Sequence, residues 1–149
     1  MNHKSQKGGF TLIEVLIVVF IIGLLASVVL VGVGSFRARG RDARRVADLH
    51  LVQTALELYY QAEGQYPDAG KWGDLKTALE RANIGVDRLP NDPSGGRDYF
   101  YGADSRRQRY VLGAELDDSN NPLLKNDEDG LTYGVDCGGQ SDNVYCTKF

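Results

Sequence analysis

Between Phe10 and Phe36 the chain runs for 27 residues with one charge, Glu14, and no polar side chains besides Thr11, Ser27 and Ser35. As a helix at 1.5 Å per residue this run would be ~40 Å long, enough to cross a ~30 Å hydrocarbon layer. A water-soluble domain of 149 residues has no core able to bury such a rod on all sides, so the reading is a single membrane-inserted helix. A secretory signal fits less well, because its apolar region spans only ~7–15 residues and its small-residue cut site follows the apolar part. Here the small pair, Gly8-Gly9, comes before the run, behind a short leader, MNHKSQKGG, that carries Lys4 and Lys7. The pattern is that of a leader cut on its cytoplasmic side with the apolar helix retained.

Glu14 is the anomaly in the run. A carboxylate placed in hydrocarbon costs roughly 2.5–3.5 kcal/mol on insertion scales and calls for a partner or a purpose. A free amine one helical turn towards the N-terminus would be such a partner. The alternative is an acid that snorkels to the membrane surface and needs none.

The stretch KGGFTLIEVLIVVFIIGLLA resembles the N-terminus of type IV prepilins and of the pseudopilins of type II secretion systems. The resemblance implies that a prepilin peptidase cuts between Gly9 and Phe10 and methylates the new amine of Phe10. It also implies that Glu14 pairs with the amine of a neighbouring subunit and so draws subunits into a filament. The further partners it implies are identical or related subunits and an inner-membrane assembly platform driven by a cytoplasmic ATPase. The implied location is the inner membrane as a single-pass protein, then an extracytoplasmic or cell-surface filament. Charge alone would favour the opposite orientation, since five arginines between Arg37 and Arg45 follow the run and two lysines precede it. Many type IV pilins also carry a proline inside the apolar run, and none occurs here.

Past Phe36 the helical pattern continues. Leu49, Val52, Leu56, Tyr59 and Tyr60 recur at steps of three and four, which marks one helix face, and no proline appears before Pro67. The expected layout is a leader over 1–9, a transmembrane and assembly half over 10–36, an amphipathic half over 37–62 stopping near Gly64, and a globular head over 63–149. Within the head, WGDLKTALERAN reads as a short helix with a stop at Gly85. Tyr99–Tyr101, Tyr110–Leu116 and Leu131–Val135 read as strands of an antiparallel meander, with a weaker fourth at Val144–Thr147. The fold class is α+β and pilin-like: a long N-terminal helix, transmembrane then amphipathic, packed against a small antiparallel sheet. ALELYYQAEGQYP and LPNDPSGGRDYFYG resemble the middle of major pseudopilins and of related Gram-positive and environmental type IV pilins.

Charge is segregated: residues 1–45 carry a net +5 and residues 46–149 a net −8. A globally basic nucleic-acid binder is thereby disfavoured. Arg37, Arg39, Arg41, Arg44 and Arg45 form a basic collar, read first as solvated or facing headgroups, then as paired with acids of neighbouring subunits, and least as a phosphate contact. Cys137 and Cys146 suggest a disulfide, with free thiols or a two-cysteine metal site as alternatives. A C-terminal disulfide loop resembles many type IV pilins, whereas typical major pseudopilins lack one. Major pseudopilins hold calcium in an acidic loop, which makes Asp117, Asp127 and Asp129 the candidate ligands here; a plain solvated acidic loop is the competing reading. The tyrosines are better explained by helix–sheet packing than by stacking on nucleic acid or sugars. With His3 and His50 the only histidines and no phosphate-loop context, an enzyme is not expected.

Overall fold

No proline interrupts the chain before Pro67, and Leu12–Glu63 form one helix, α1, in the computed structural model. The structure describes residues 9–139 and 142–149, with backbone alone for residues 28–33. The helix ends at Glu63, one residue beyond the expected limit, and Gly64 is its stop. This glycine adopts a left-handed conformation (φ +70°) and its N–H donates to the Tyr60 carbonyl at 2.8 Å. The chain divides into two units, Met1–Phe36 and Arg37–Phe149.

In the first unit the large apolar side chains from Phe10 to Leu25 are all exposed, from 49% for Ile21 to 88% for Phe10. Counting described residues only, no helix is long and apolar enough to cross a membrane.

In the second unit α1 behaves as its pattern predicts. Leu49, Val52, Ala55 and Leu56 are buried, and Tyr59 and Tyr60 pack at the edge of the same core. Helix α2, Trp72–Arg81, buries Trp72, Leu75 and Leu79. Its stop comes before the expected Gly85, because Ala82 closes the helix and Asn83 already turns left-handed (φ +54°).

Strands β1 (Phe100–Ala103) and β2 (Tyr110–Glu115) form an antiparallel pair in which Tyr101 faces Leu112. The expected single strand over Leu131–Val135 is instead two short strands, β3 (Leu131–Thr132) and β4 (Val135–Asp136). Tyr133 and Gly134 between them both have positive φ, 48° and 83°, the signature of a two-residue hairpin turn. This small ladder stands apart from the main sheet, so the four-strand meander is not formed. The strand that looked weakest, β5 (Val144–Lys148), completes the sheet in the order β1-β2-β5. Two glycines allow the tight layers. A Cβ on Gly102 would meet the Tyr133 carbonyl oxygen at 2.4 Å, and one on Gly113 would meet Cys146 Sγ at 2.8 Å.

Strand β2 is buried on both faces. Tyr110, Leu112 and Ala114 join the α1 and α2 side chains in the main core. Val111 belongs to a second cluster with Val135, Cys137 and Cys146. At roughly 1.5–3 kcal/mol per fully buried large apolar side chain, these two clusters supply most of the head's stability.

Candidate functional site

The processing and assembly residues lie at the start of α1. Thr11 immediately precedes the helix, and its backbone N–H and hydroxyl both donate to Glu14 Oε2 at 2.8 Å. The Glu14 N–H donates back to Thr11 Oγ1 at 3.3 Å. This reciprocal arrangement is a capping box, which uses the T-x-x-E spacing to satisfy orphan N–H groups of the first turn. In the full-length chain the Glu14 carboxylate is therefore held by Thr11. Thr11 was missed in the sequence reading, although TLIE carries that spacing. Phe10 and Gly9 are both exposed beside it.

The basic collar is divided: Arg37, Arg39 and Arg44 are exposed, as expected of a solvated stripe, but Arg45 is not. Arg45 is fully buried and grips Asp92 in a two-pronged contact, Nε to Oδ2 at 2.7 Å and Nη2 to Oδ1 at 3.1 Å. Its Nη1 reaches Asp42 at 2.7 Å and Asp117 at 3.3 Å, and Nη2 donates to Ser94 Oγ at 2.8 Å. Asp42 in turn accepts from the N–H groups of Asp117 (2.8 Å) and Asp118 (3.0 Å). Arg41 and Arg97 also pair with Asp117, Arg39 with Asp118, and Arg44 with Asp48. Four of the five collar arginines thus pair with acids of their own chain, a possibility the sequence alone had not suggested. Burial opposes the charge on Arg45, but its hydrogen bonds to Asp92, Asp117 and Asp42 outweigh it and raise its pKa. Burial also opposes ionisation of Asp92 and Asp117. Hydrogen bonds from Arg45 (and Arg41 to Asp117) win in both cases and hold these carboxyls below their ordinary range.

The structure does not assemble the acids proposed for calcium. Asp117 is engaged by Arg41, Arg45 and Arg97. Asp127 accepts from the Cys146 N–H at 3.1 Å, and its pKa is raised, chiefly by burial and further by the charges of Asp129 and Asp142. Among the described residues no three His, Cys, Asp or Glu side chains are grouped to hold a metal ion. The set Asp117, Asp127 and Asp129 therefore does not fit the ion, because the first of them is committed to guanidinium groups. Cys137 and Cys146 do form a disulfide, with Cα atoms 5.7 Å apart and both residues fully buried.

The expected tyrosine packing is also present. Tyr99, Tyr101 and Tyr110 are in the core, with Tyr59 and Tyr60 against it. The hydroxyl of Tyr99 donates to Asp48 at 2.7 Å, and those of Tyr66 and Tyr110 both donate to Glu57 Oε1.

Residues 4–30 match the family described as "Prokaryotic N-terminal methylation motif". The type II secretion system core protein G of Vibrio cholerae is 31% identical over 126 residues, 77% of this chain and 86% of that protein. The core protein G of Aeromonas hydrophila is 31% identical over 62% of this chain and 71% of its own. The type IV major pilin protein PilA of Myxococcus xanthus is 35% identical over 55% of this chain but only 36% of its own length. No solved structure matches. The chain belongs to the prepilin and pseudopilin family, whose members are structural subunits.

Proposed function

We propose that this protein is a structural subunit of a type IV pilus-like helical filament. In this reading prepilin peptidase removes residues 1–9 and methylates Phe10. The apolar half of α1 anchors the chain in the inner membrane and then packs among identical or related subunits, driven by an assembly platform with its cytoplasmic ATPase. The supporting observation is the N-terminal segment itself: Gly9 and Phe10 precede a capped helix, and the large apolar side chains from Phe10 to Leu25 are all exposed. So large an apolar surface is untenable in water and requires lipid or sister helices to cover it. Glu14, already oriented by Thr11, is the group that would meet the freed amine of the next subunit.

A second reading is the major pseudopilin of a type II secretion system. The near full-length match to the core protein G of Vibrio cholerae favours it, while the Cys137–Cys146 disulfide favours the pilus. Surface fibres that vanish on deletion would support the pilus; lost exoprotein secretion without fibres would support the pseudopilin.

The test common to both is the intact mass of the protein isolated from membranes, before and after reduction. The expected mass is that of residues 10–149 plus one methyl group, gaining two hydrogens on reduction. A mass that retains Met1–Gly9 would refute prepilin processing.

A further inference from the structure

We propose that the free edge of β1 takes up an extended, basic peptide segment of another protein as an additional strand. The register decides which groups lie on that edge. The Asp104 N–H donates to the Arg109 carbonyl at 2.9 Å, and the pairing continues through Gly102 with Val111 and Phe100 with Gly113. Successive residues of a strand turn their backbone groups to opposite sides, so Tyr101 and Ala103 turn theirs away from β2. Among the described residues these N–H and C=O groups have no hydrogen-bond partner. The one bond that Tyr101 makes beyond the sheet comes from its phenol, to the Pro67 carbonyl at 2.8 Å.

The opposite edge of the sheet is covered at its centre. On β5 the Cys146 N–H donates to Asp127 Oδ2 and the Cys146 carbonyl accepts from the Glu128 N–H, both at 3.1 Å. Folded proteins cover such edges because an unpaired row of donors and acceptors templates another strand. On β1 that row opens instead into a groove. Two adjoining hollows of about 480 and 240 Å³ make up the groove, and they share Gly70, Tyr101 and Gly134. A Cβ on Gly70 or Gly134 would meet nothing within 4 Å, and Ala103 is partly exposed. Space therefore remains for a strand laid ~4.8 Å from β1.

Main-chain hydrogen bonds to Tyr101 and Ala103 would supply the affinity, and the charges beside the edge select the guest. Asp68, Asp98, Asp104 and Asp136 line the groove with Lys71 and Arg107, four acids against two bases, a formal −2. Arg107 is also committed within the chain, donating to Gln65 Oε1. An extended segment with basic side chains complements this field, whereas an acidic one is repelled. The same charges disfavour a second copy of this chain as the occupant. Pairing β1 with β1 would set the four acids against their own counterparts, and like charges across a strand pair are destabilising.

The full-length chain, folded in detergent and labelled with ¹⁵N-tyrosine and ¹⁵N-alanine, reports by nuclear magnetic resonance on the amides of Tyr101 and Ala103. It would be titrated with the peptide acetyl-KTVTVK-amide to ~5 mM, above the ~1 mM dissociation constant of a weak site. The expected result is a saturable shift of both amides, with hydrogen exchange of Tyr101 slowed about tenfold in the complex. Binding should weaken about tenfold for acetyl-ETVTVE-amide, and likewise in the double variant Asp68→Lys, Asp98→Lys. Both acids are exposed and unpaired, so this variant keeps the fold. Of the two basic peptides N-methylated at alternate residues, one should lose binding because its edge-facing donors are gone. The proposal is overturned if the basic peptide gives no saturable shift, if the acidic peptide or the double variant binds as tightly, or if both methylated peptides bind like the parent. It is equally overturned if, without peptide, the Tyr101 amide exchanges as slowly as that of Tyr110, which is bonded to the Phe149 carbonyl. A shift of the two signals on raising the protein concentration alone would make a second copy the occupant and also overturn it.

Discussion

Among the described residues Arg45 is the one cation that reaches both Asp42 and Asp92, two buried carboxylates, and replacing it with Met removes that charge. Methionine roughly preserves the stem volume, so the change isolates the charge. The backbone donors of Asp117, Asp118 and Ser94 continue to hold the two acids in place, but both lose the guanidinium that neutralises them. Breaking a buried pair by removing one partner costs ~3–5 kcal/mol. At ~4 °C per kcal/mol for a domain of this size, the melting temperature falls by roughly 12–20 °C. Asp92→Asn should cost less, ~1–3 kcal/mol, because Arg45 keeps Asp42 and Asp117. Arg39→Ala, which breaks only the exposed contact to Asp118 at 3.3 Å, should cost under ~1 kcal/mol. The ranking is read from thermal unfolding of the full-length chain in detergent by circular dichroism. The pH dependence is a sharper check. Asp92 and Asp117 have folded pKa values below the unfolded value of ~3.9, so they stabilise the parent above that pH, and the contribution is lost as pH falls through the folded values. In Arg45→Met the Asp92 carboxyl loses the Arg45 hydrogen bonds that hold it low and binds a proton more readily on acidification, so the deficit relative to the parent should shrink between pH 7 and pH 4. A loss below ~1 kcal/mol, or a deficit unchanged over that interval, would refute the assignment of Arg45 as the charge that holds this junction together.

Reduction of Cys137–Cys146 should lower the urea-unfolding free energy by ~2–3 kcal/mol, as expected for a short closed loop; equal midpoints with and without reductant would mean the bond contributes nothing. Gly113→Ala should destabilise by ~1–3 kcal/mol, because its Cβ would lie 2.8 Å from Cys146 Sγ. Gly40→Ala, in α1 with open space around it, should stabilise by ~0.5–1 kcal/mol, and a reversed order would contradict the packing of β2 against the disulfide. At alkaline pH, burial and the hydrogen bond to Glu57 push the Tyr66 phenol up to about 12, and burial first of all raises Tyr99, Tyr101 and Tyr110 as well. Since unfolded tyrosine ionises near pH ~10, stability should hold up to that pH and fall as pH rises further. Tyrosinate absorbance that rises near pH 10 for every residue while circular dichroism remains native would show these phenols to be accessible.

The parts of this protein that could be read from its sequence are those governed by short-range periodicity. The steps of three and four from Leu49 to Tyr60 place side chains on one helix face whatever else the chain does, and those residues do form or flank the core. T-x-x-E is equally local, and its spacing alone could have identified Thr11 as the partner of Glu14. Leu131–Val135 failed as a strand because its composition is β-like while Tyr133-Gly134 adopts a turn that needs two positive φ values, and only the second residue signals it. The ion network was beyond any such reading. Arg45 meets Asp92 across 47 residues and Arg41 meets Asp117 across 76, so the pairs exist only once the sheet has closed onto α1. This closure also changes the meaning of the charge segregation. Asp48, Asp92, Asp117 and Asp118, from the acidic segment, pair with arginines that follow the apolar run, so net charges counted by segment overstate the field at this junction. In Arg45 the sequence shows only one more arginine of the collar, whereas burial and three carboxylates make it the residue on which the junction of helix and head depends.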